Sequence, residues 1–108
     1  MKGIYVQKGE SLDYENKTGK LIEAGDVIVL EDRIGIAGTS FADKQMGSVH
    51  VTGVFKLFKA SEDFEMGQDL YYSNEHGLTT EAENNIPAGY AAASADKDAP
   101  VALVKLIG

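Results

Sequence analysis

Apolar and polar residues alternate most regularly along the run from Gly47 to Ala60. Val49, Val51, Gly53, Phe55 and Leu57 fall on one side, and His50, Thr52, Val54, Lys56 and Phe58 on the other. A period of two with β-branched and aromatic residues marks a half-buried strand. At about 3.3 Å per residue the run would extend about 40 Å, which is long for one strand. A bend is therefore expected, and Gly53 is its natural place, since glycine inside a strand marks a bulge or a close backbone approach. The pattern predicts a strand that crosses the middle of the molecule, with Phe55 in the core.

The remaining chain reads as short strands separated by turns. Residues 4–8, Ile-Tyr-Val-Gln-Lys, predict an opening strand, and Asn16-Lys-Thr-Gly19 a hairpin turn. Ala24-Gly-Asp26 is a second turn. Val27-Ile-Val-Leu30 is a continuous apolar run, as expected of a strand buried on both faces. Ile34 to Gly38 returns as its partner, and residues 39–47 form a loop or one helical turn. The second half follows the same plan. Glu65-Met-Gly-Gln-Asp69 resembles Glu23-Ala-Gly-Asp26, Ile86 to Ala93 resembles Ile34 to Gly38 in its small residues, and Ala95-Asp-Lys97 echoes Ala42-Asp-Lys44. Leu70-Tyr-Tyr-Ser73, Leu78-Thr-Thr80 and Val101 to Ile107 are its strands. Duplication and chance recurrence of short β-units both account for so faint a repeat. The only helical candidates, around 40–46 and Ala60 to Met66, are short. The expected fold is all-β: a small sandwich or barrel of short antiparallel strands, at most one or two short helical turns, in a single domain over 1–108 with 1–19 as an N-terminal arm.

Composition narrows the function more than it adds to the fold. The 108 residues contain no cysteine, which removes disulfides, thiolate metal sites and cysteine nucleophiles and fits folding in a reducing cytoplasm. The net charge of −7 argues against nucleic acid as a partner. No apolar run is long enough for a membrane span, and the N-terminus lacks a signal-peptide core. His50 and His76 stand far apart, with no second ligand at metal spacing. No GxSxG elbow presents a serine. Around Gly19-Lys20 a phosphate loop would need glycine where Tyr14 stands and Ser or Thr where Leu21 stands. A calcium loop begun at Asp13 would need glycine at Thr18 and glutamate at Ala24. The acidic pairs Glu31-Asp32, Glu62-Asp63 with Glu65, and Glu81 with Glu83 fall in or near predicted turns, where solvated carboxylates are common. No enzyme activity and no cofactor are expected.

The order of segments carries a resemblance. Tyr5 to Tyr14, Ile22-Glu-Ala-Gly-Asp-Val-Ile-Val-Leu30, Ile34 to Ala37, Val51-Thr-Gly-Val-Phe-Lys-Leu57 with Lys59-Ala60, Gly67 to Tyr72, Ala88-Gly-Tyr-Ala91 and Val101 to Gly108 together resemble the capsid cement, or head decoration, proteins of tailed bacteriophages. The most specific piece is Gly53-Val-Phe55 following Ala-Gly-Asp-Val at 24–27. Members are often labelled RecA/RadA-type recombinases, which the failed phosphate loop and short chain argue against here. The resemblance implies a structural virion protein on the capsid exterior, made in the host cytoplasm, that bridges major capsid protein subunits, commonly as a homotrimer. The loop 39–48 departs from the expected small-residue link by carrying Phe41, Lys44, Gln45 and Met46. Its apolar groups are either core or contacts to a neighbour. The candidate capsid contacts are Ile4, Tyr5, Val6, Phe41 and Met46. The alternative is a carbohydrate- or host-surface-binding β-module, with Tyr71, Tyr72 and Tyr90 as contact points.

Overall fold

The computed structural model describes residues 1–107; Gly108 lies outside the described residues. Nine strands form two sheets: β1 (Ser11–Glu15), β2 (Val27–Leu30), β3 (Arg33–Ala37), β4 (Met46–His50), β5 (Thr52–Phe58), β6 (Asp69–Ser73), β7 (Gly77–Thr79), β8 (Ile86–Ala91) and β9 (Val101–Ile107). The first sheet has the order β1-β4-β3-β2 and the second β5-β9-β8-β6-β7. Every pairing between these strands is antiparallel. The all-β expectation holds, and neither short helical candidate forms a helix.

The long alternating run is continuous strand except at one residue. It breaks at Val51, and the two parts belong to different sheets: β4 is interior in the first, β5 is the edge of the second. The expected bend thus comes two residues before Gly53. Gly53 still carries a conformation that side chains disfavour, with φ 115°. Phe55 lies on the predicted inner side against the core but is only half-buried, on a strand at the edge of its sheet.

Three other expectations change. Residues 4–8 form no strand and are mostly exposed; the first strand is Ser11–Glu15, inside the expected arm. Asn16 to Gly19 does not close a hairpin, because β1 pairs with β4 rather than with the next strand. Asn16 itself is completely buried. Its side-chain N–H groups donate to the carbonyls of Lys20 and Phe41, at 2.6 and 3.2 Å, holding the chain as it crosses from one side of the sheet to the other. Finally, β2 is not buried on both faces. It is a sheet edge, and Val29 is 39 % exposed.

The faint repeat in the sequence is plain in the backbone. If β1, β2, β3 and β4 are matched to β5, β6, β8 and β9, the two sheets have the same strand order, and β7 is an addition to the second. The hydrogen bonds outside the strands match as well. Ile22 and Phe41 exchange two backbone bonds at 3.0 and 2.9 Å; Phe64 and Ala95 do the same at 2.7 and 3.0 Å. Gly25 N–H donates to Ala37 O, and Gly67 N–H to Ala91 O, both at 2.8 Å. Asp26 N–H donates to Glu23 O and Gln68 N–H to Glu65 O, both at 3.0 Å.

Each half therefore builds its core from corresponding positions. Ile22, Ile28, Ala37, Phe41, Val49 and Val51 make up the first. Their counterparts Phe64, Leu70, Ala91, Ala95, Val104 and Leu106 belong to the second, which also takes in Ile34 and Ile36 from β3 and so joins the sheets. The large ring changes sides between halves. Phe41 faces Ile22 across the first bridge, whereas Phe64 supplies the ring in the second and Ala95 is small. Position 47 follows suit: a Cβ on Gly47 would lie 2.1 Å from the Phe41 ring. Its counterpart, beside Ala95, is Ala102.

This exchange of volume predicts a coupling. Gly47→Ala should cost about 1–3 kcal/mol by overpacking. Phe41→Ala should cost about 3–5 kcal/mol through the cavity it leaves. Adding Gly47→Ala to the Phe41→Ala protein should cost almost nothing, because the ring it would strike is gone. Chemical denaturation of the four proteins measures this; additive costs would show that ring and glycine are not fitted to each other.

Candidate capsid-binding surface

The polar groups singled out in the sequence are mostly used within the fold. His50 Nδ1 lies 2.9 Å from Ser11 Oγ, and its ring centroid 5.9 Å from that of Phe55. It ties β1 to β4 near the point where the chain changes sheets. His76 is exposed, with Nε2 3.5 Å from Glu75. The two histidines are not brought together. No group of three or more His, Cys, Asp or Glu capable of holding a metal ion occurs among the described residues.

Glu62 is more than a solvated turn residue. Its carboxylate accepts from the Thr80 N–H at 2.9 Å, the Thr80 hydroxyl at 2.8 Å and the Thr79 hydroxyl at 2.7 Å. Burial opposes its ionisation. The Thr80 N–H, the two hydroxyls and the charge of Lys59 outweigh that, so the carboxyl titrates below its ordinary value. Lys59 donates to the carbonyls of Ala60, Glu62 and Asp96 and lies over the Phe64 ring, 4.7 Å from its centroid. Asp63 accepts the Lys97 N–H at 2.7 Å. These carboxylates close loops.

Several large apolar side chains also face outward. Of the candidate contacts, Ile4, Tyr5, Val6 and Met46 are exposed. Phe41 is corrected: at 5 % exposure it is core, packed edge-on to Tyr14 with ring centroids 6.4 Å apart. Sequence reading left that choice open because a loop phenylalanine carries no periodicity to say which way it points. Reading by residue missed the outer face of β5 and β9. The register sets Val54 opposite Lys105, Lys56 opposite Leu103, and Phe58 opposite Val101. Val54, Leu103 and Ile107 are exposed there, and Phe58 is 75 % exposed. Alternation does place Val54 and Phe58 together on one side, so the signal was present. Tyr71, Tyr72 and Tyr90 do not form an exposed aromatic platform. All three are half-buried, and Tyr72 packs against the core.

The molecule is a body of two short-stranded sheets that leaves several large apolar side chains outward. Among known families, the chain matches the model of the phage cement protein family over residues 6–106, and it belongs to that family. It is a structural protein associated with the phage capsid. No curated relative and no solved structure matches the chain significantly.

Glu62 supplies a pH test. Its folded-state pKa lies below the ordinary 4.5. The ionised carboxylate therefore adds stability above that value, and the contribution is lost as pH falls through the folded-state pKa. Glu62→Gln should lower the thermal midpoint at pH 7, and the gap to the natural protein should close on acidification below about pH 4. A gap that stays constant down to pH 3 would assign the loss to shape rather than charge.

Proposed function

We propose that the protein binds the outside of the assembled phage head and stabilises contacts between major capsid protein subunits, acting as a homotrimer and without enzymatic activity. It is made in the host cytoplasm and functions on the capsid exterior as a β body carrying an arm at residues 1–9. Family membership supports the capsid role, and one observation supports the mode of attachment. Ile4, Tyr5 and Val6 form a strand-prone apolar segment held to nothing, joined to a well-packed body. Such a segment gains backbone hydrogen bonds and side-chain pockets together when it adds to the edge of a neighbouring sheet. Met46 and the β5–β9 face supply further apolar contact.

The body does not need the arm. The first hydrogen bond that fixes the chain to it is from Val51 N–H to Glu10 O, at 3.0 Å. Deleting residues 1–8 should therefore change unfolding stability by less than about 0.5 kcal/mol, the range of surface changes. The truncated protein should fail to decorate purified heads. Decoration at full occupancy would overturn this role for the arm, and an unfolded product would show the segment to be part of the core.

A further inference from the structure

One strand has no counterpart in the first half. In the second, β7 covers the outer edge of β6, with Tyr71 facing Thr79, Tyr72 facing Leu78 and Ser73 facing Gly77. Leu78 is 0 % exposed. The far side of β7 is held by the segment after β5: Ala60 N–H donates to Leu78 O at 2.8 Å, and Lys59 bridges to Leu78 in parallel. The strand starts with glycine for a reason. Gly77 has φ 78°, and a Cβ there would lie 2.2 Å from the Phe58 carbonyl oxygen.

In the first half the corresponding place is open. A groove of about 410 Å³ runs between Val27–Val29 of β2 and residues 18–22, with Tyr14 also in its wall. Val29 and Leu21 are exposed beside it. Exposed sheet edges are ordinarily blunted by charge, proline or a bulge. The strand β2 reads Val-Ile-Val-Leu and has none of these.

We propose that this groove receives residues 3–6 of a second copy of the chain as an added antiparallel strand. Gly3-Ile4-Tyr5-Val6 matches Gly77-Leu78-Thr79-Thr80 in kind: glycine, a large aliphatic residue, then two β-formers. In the register of β7, Ile4 lies opposite Leu30 as Leu78 lies opposite Tyr72, and Tyr5 faces Val29. Charge favours the same occupant. Residues 1–9 hold Lys2 and Lys8 and no acid, so removing their +2 from the chain's −7 leaves −9 on the rest. The arm is thus the basic segment of an acidic molecule. Within one molecule it does not fill its own groove, since Ile4 is 87 % exposed. The inference rests on the arm's proposed attachment role and names the neighbour: copies on the shell hold one another, and linked weak contacts add in avidity.

The absence of cysteine makes the test clean. Tyr5→Cys and Val29→Cys proteins, mixed under mild oxidation, should form a disulfide-linked heterodimer at least tenfold faster than Tyr5→Cys mixed with a Met66→Cys control, whose site is exposed but belongs to the other half of the chain. Equal rates for Val29→Cys and the control would overturn the proposal. So would a double variant, Tyr5→Cys with Val29→Cys, that closes its disulfide within one chain at high dilution and never between chains. On decorated heads, a photoreactive side chain at position 29 should capture residues 1–9 of another copy; capture of a coat-protein peptide instead would overturn it. The solution experiment needs no heads, so failure of decoration and failure of strand exchange are read separately.

Discussion

Both sheets hang on one run of backbone, residues 46–58, and on the single residue within it that belongs to neither. Val51 is buried in the first core, and its N–H is committed to Glu10 O. The peptide that changes sheets is therefore fixed at both side chain and main chain. A one-residue link pinned in this way has little freedom to act as a hinge. Ile34 and Ile36 reinforce the join by entering the second half's core from the first sheet. The outer surfaces of the two halves therefore keep one relative orientation.

The repeat shows how one backbone plan is met with different chemistry. The residue after the first strand of each half must supply donors to the carbonyls of a crossing loop. In the first half the position is completely buried, and a neutral amide, Asn16, does this. In the second it is half-exposed, and an ammonium does, Lys59, with Glu62 nearby to lower the cost of its charge. A lysine in the buried setting would be costly to desolvate, whereas an amide buries cheaply once its hydrogen bonds are made. The ring exchange between Phe41 and Phe64 follows the same logic in volume: each half takes one large ring at its bridge, from either side, provided the facing position gives way.

Much of this was legible in the sequence because it rests on period-two alternation. The strands at 27–30 and 101–107, the turn at 24–26 and the crossing strand were legible from pattern and turn residues alone. The sheet change at Val51 was not, because alternation runs through it without a break in phase. The apolar run at 27–30 predicted two-sided burial, but an apolar edge waiting for a partner has the same composition. Residues 4–8 read as a strand for the same reason: propensity records what a segment can pair with, not whether the partner lies in its own chain. Of the candidate contacts, Ile4, Tyr5, Val6 and Met46 are outward and Phe41 is core.

An attachment protein faces two opposing demands. In the proposed role it must stay dispersed before it meets the shell and hold firmly afterwards. Here the first demand is met by charge spread over the body, which makes copies repel at long range. The second cannot be met by the same charge. Apolar side chains on the β5–β9 face answer part of it, but Lys56 and Lys105 interrupt that face and limit its attraction for other copies. A sheet edge answers the rest more selectively. Its backbone groups are satisfied by water until a segment of matching length and side-chain alternation arrives, and then they bind as a set. Under the proposed strand exchange, an edge and a basic strand-prone arm on one molecule reconcile solubility with cohesion: repulsion governs approach, and only a correctly registered strand overcomes it.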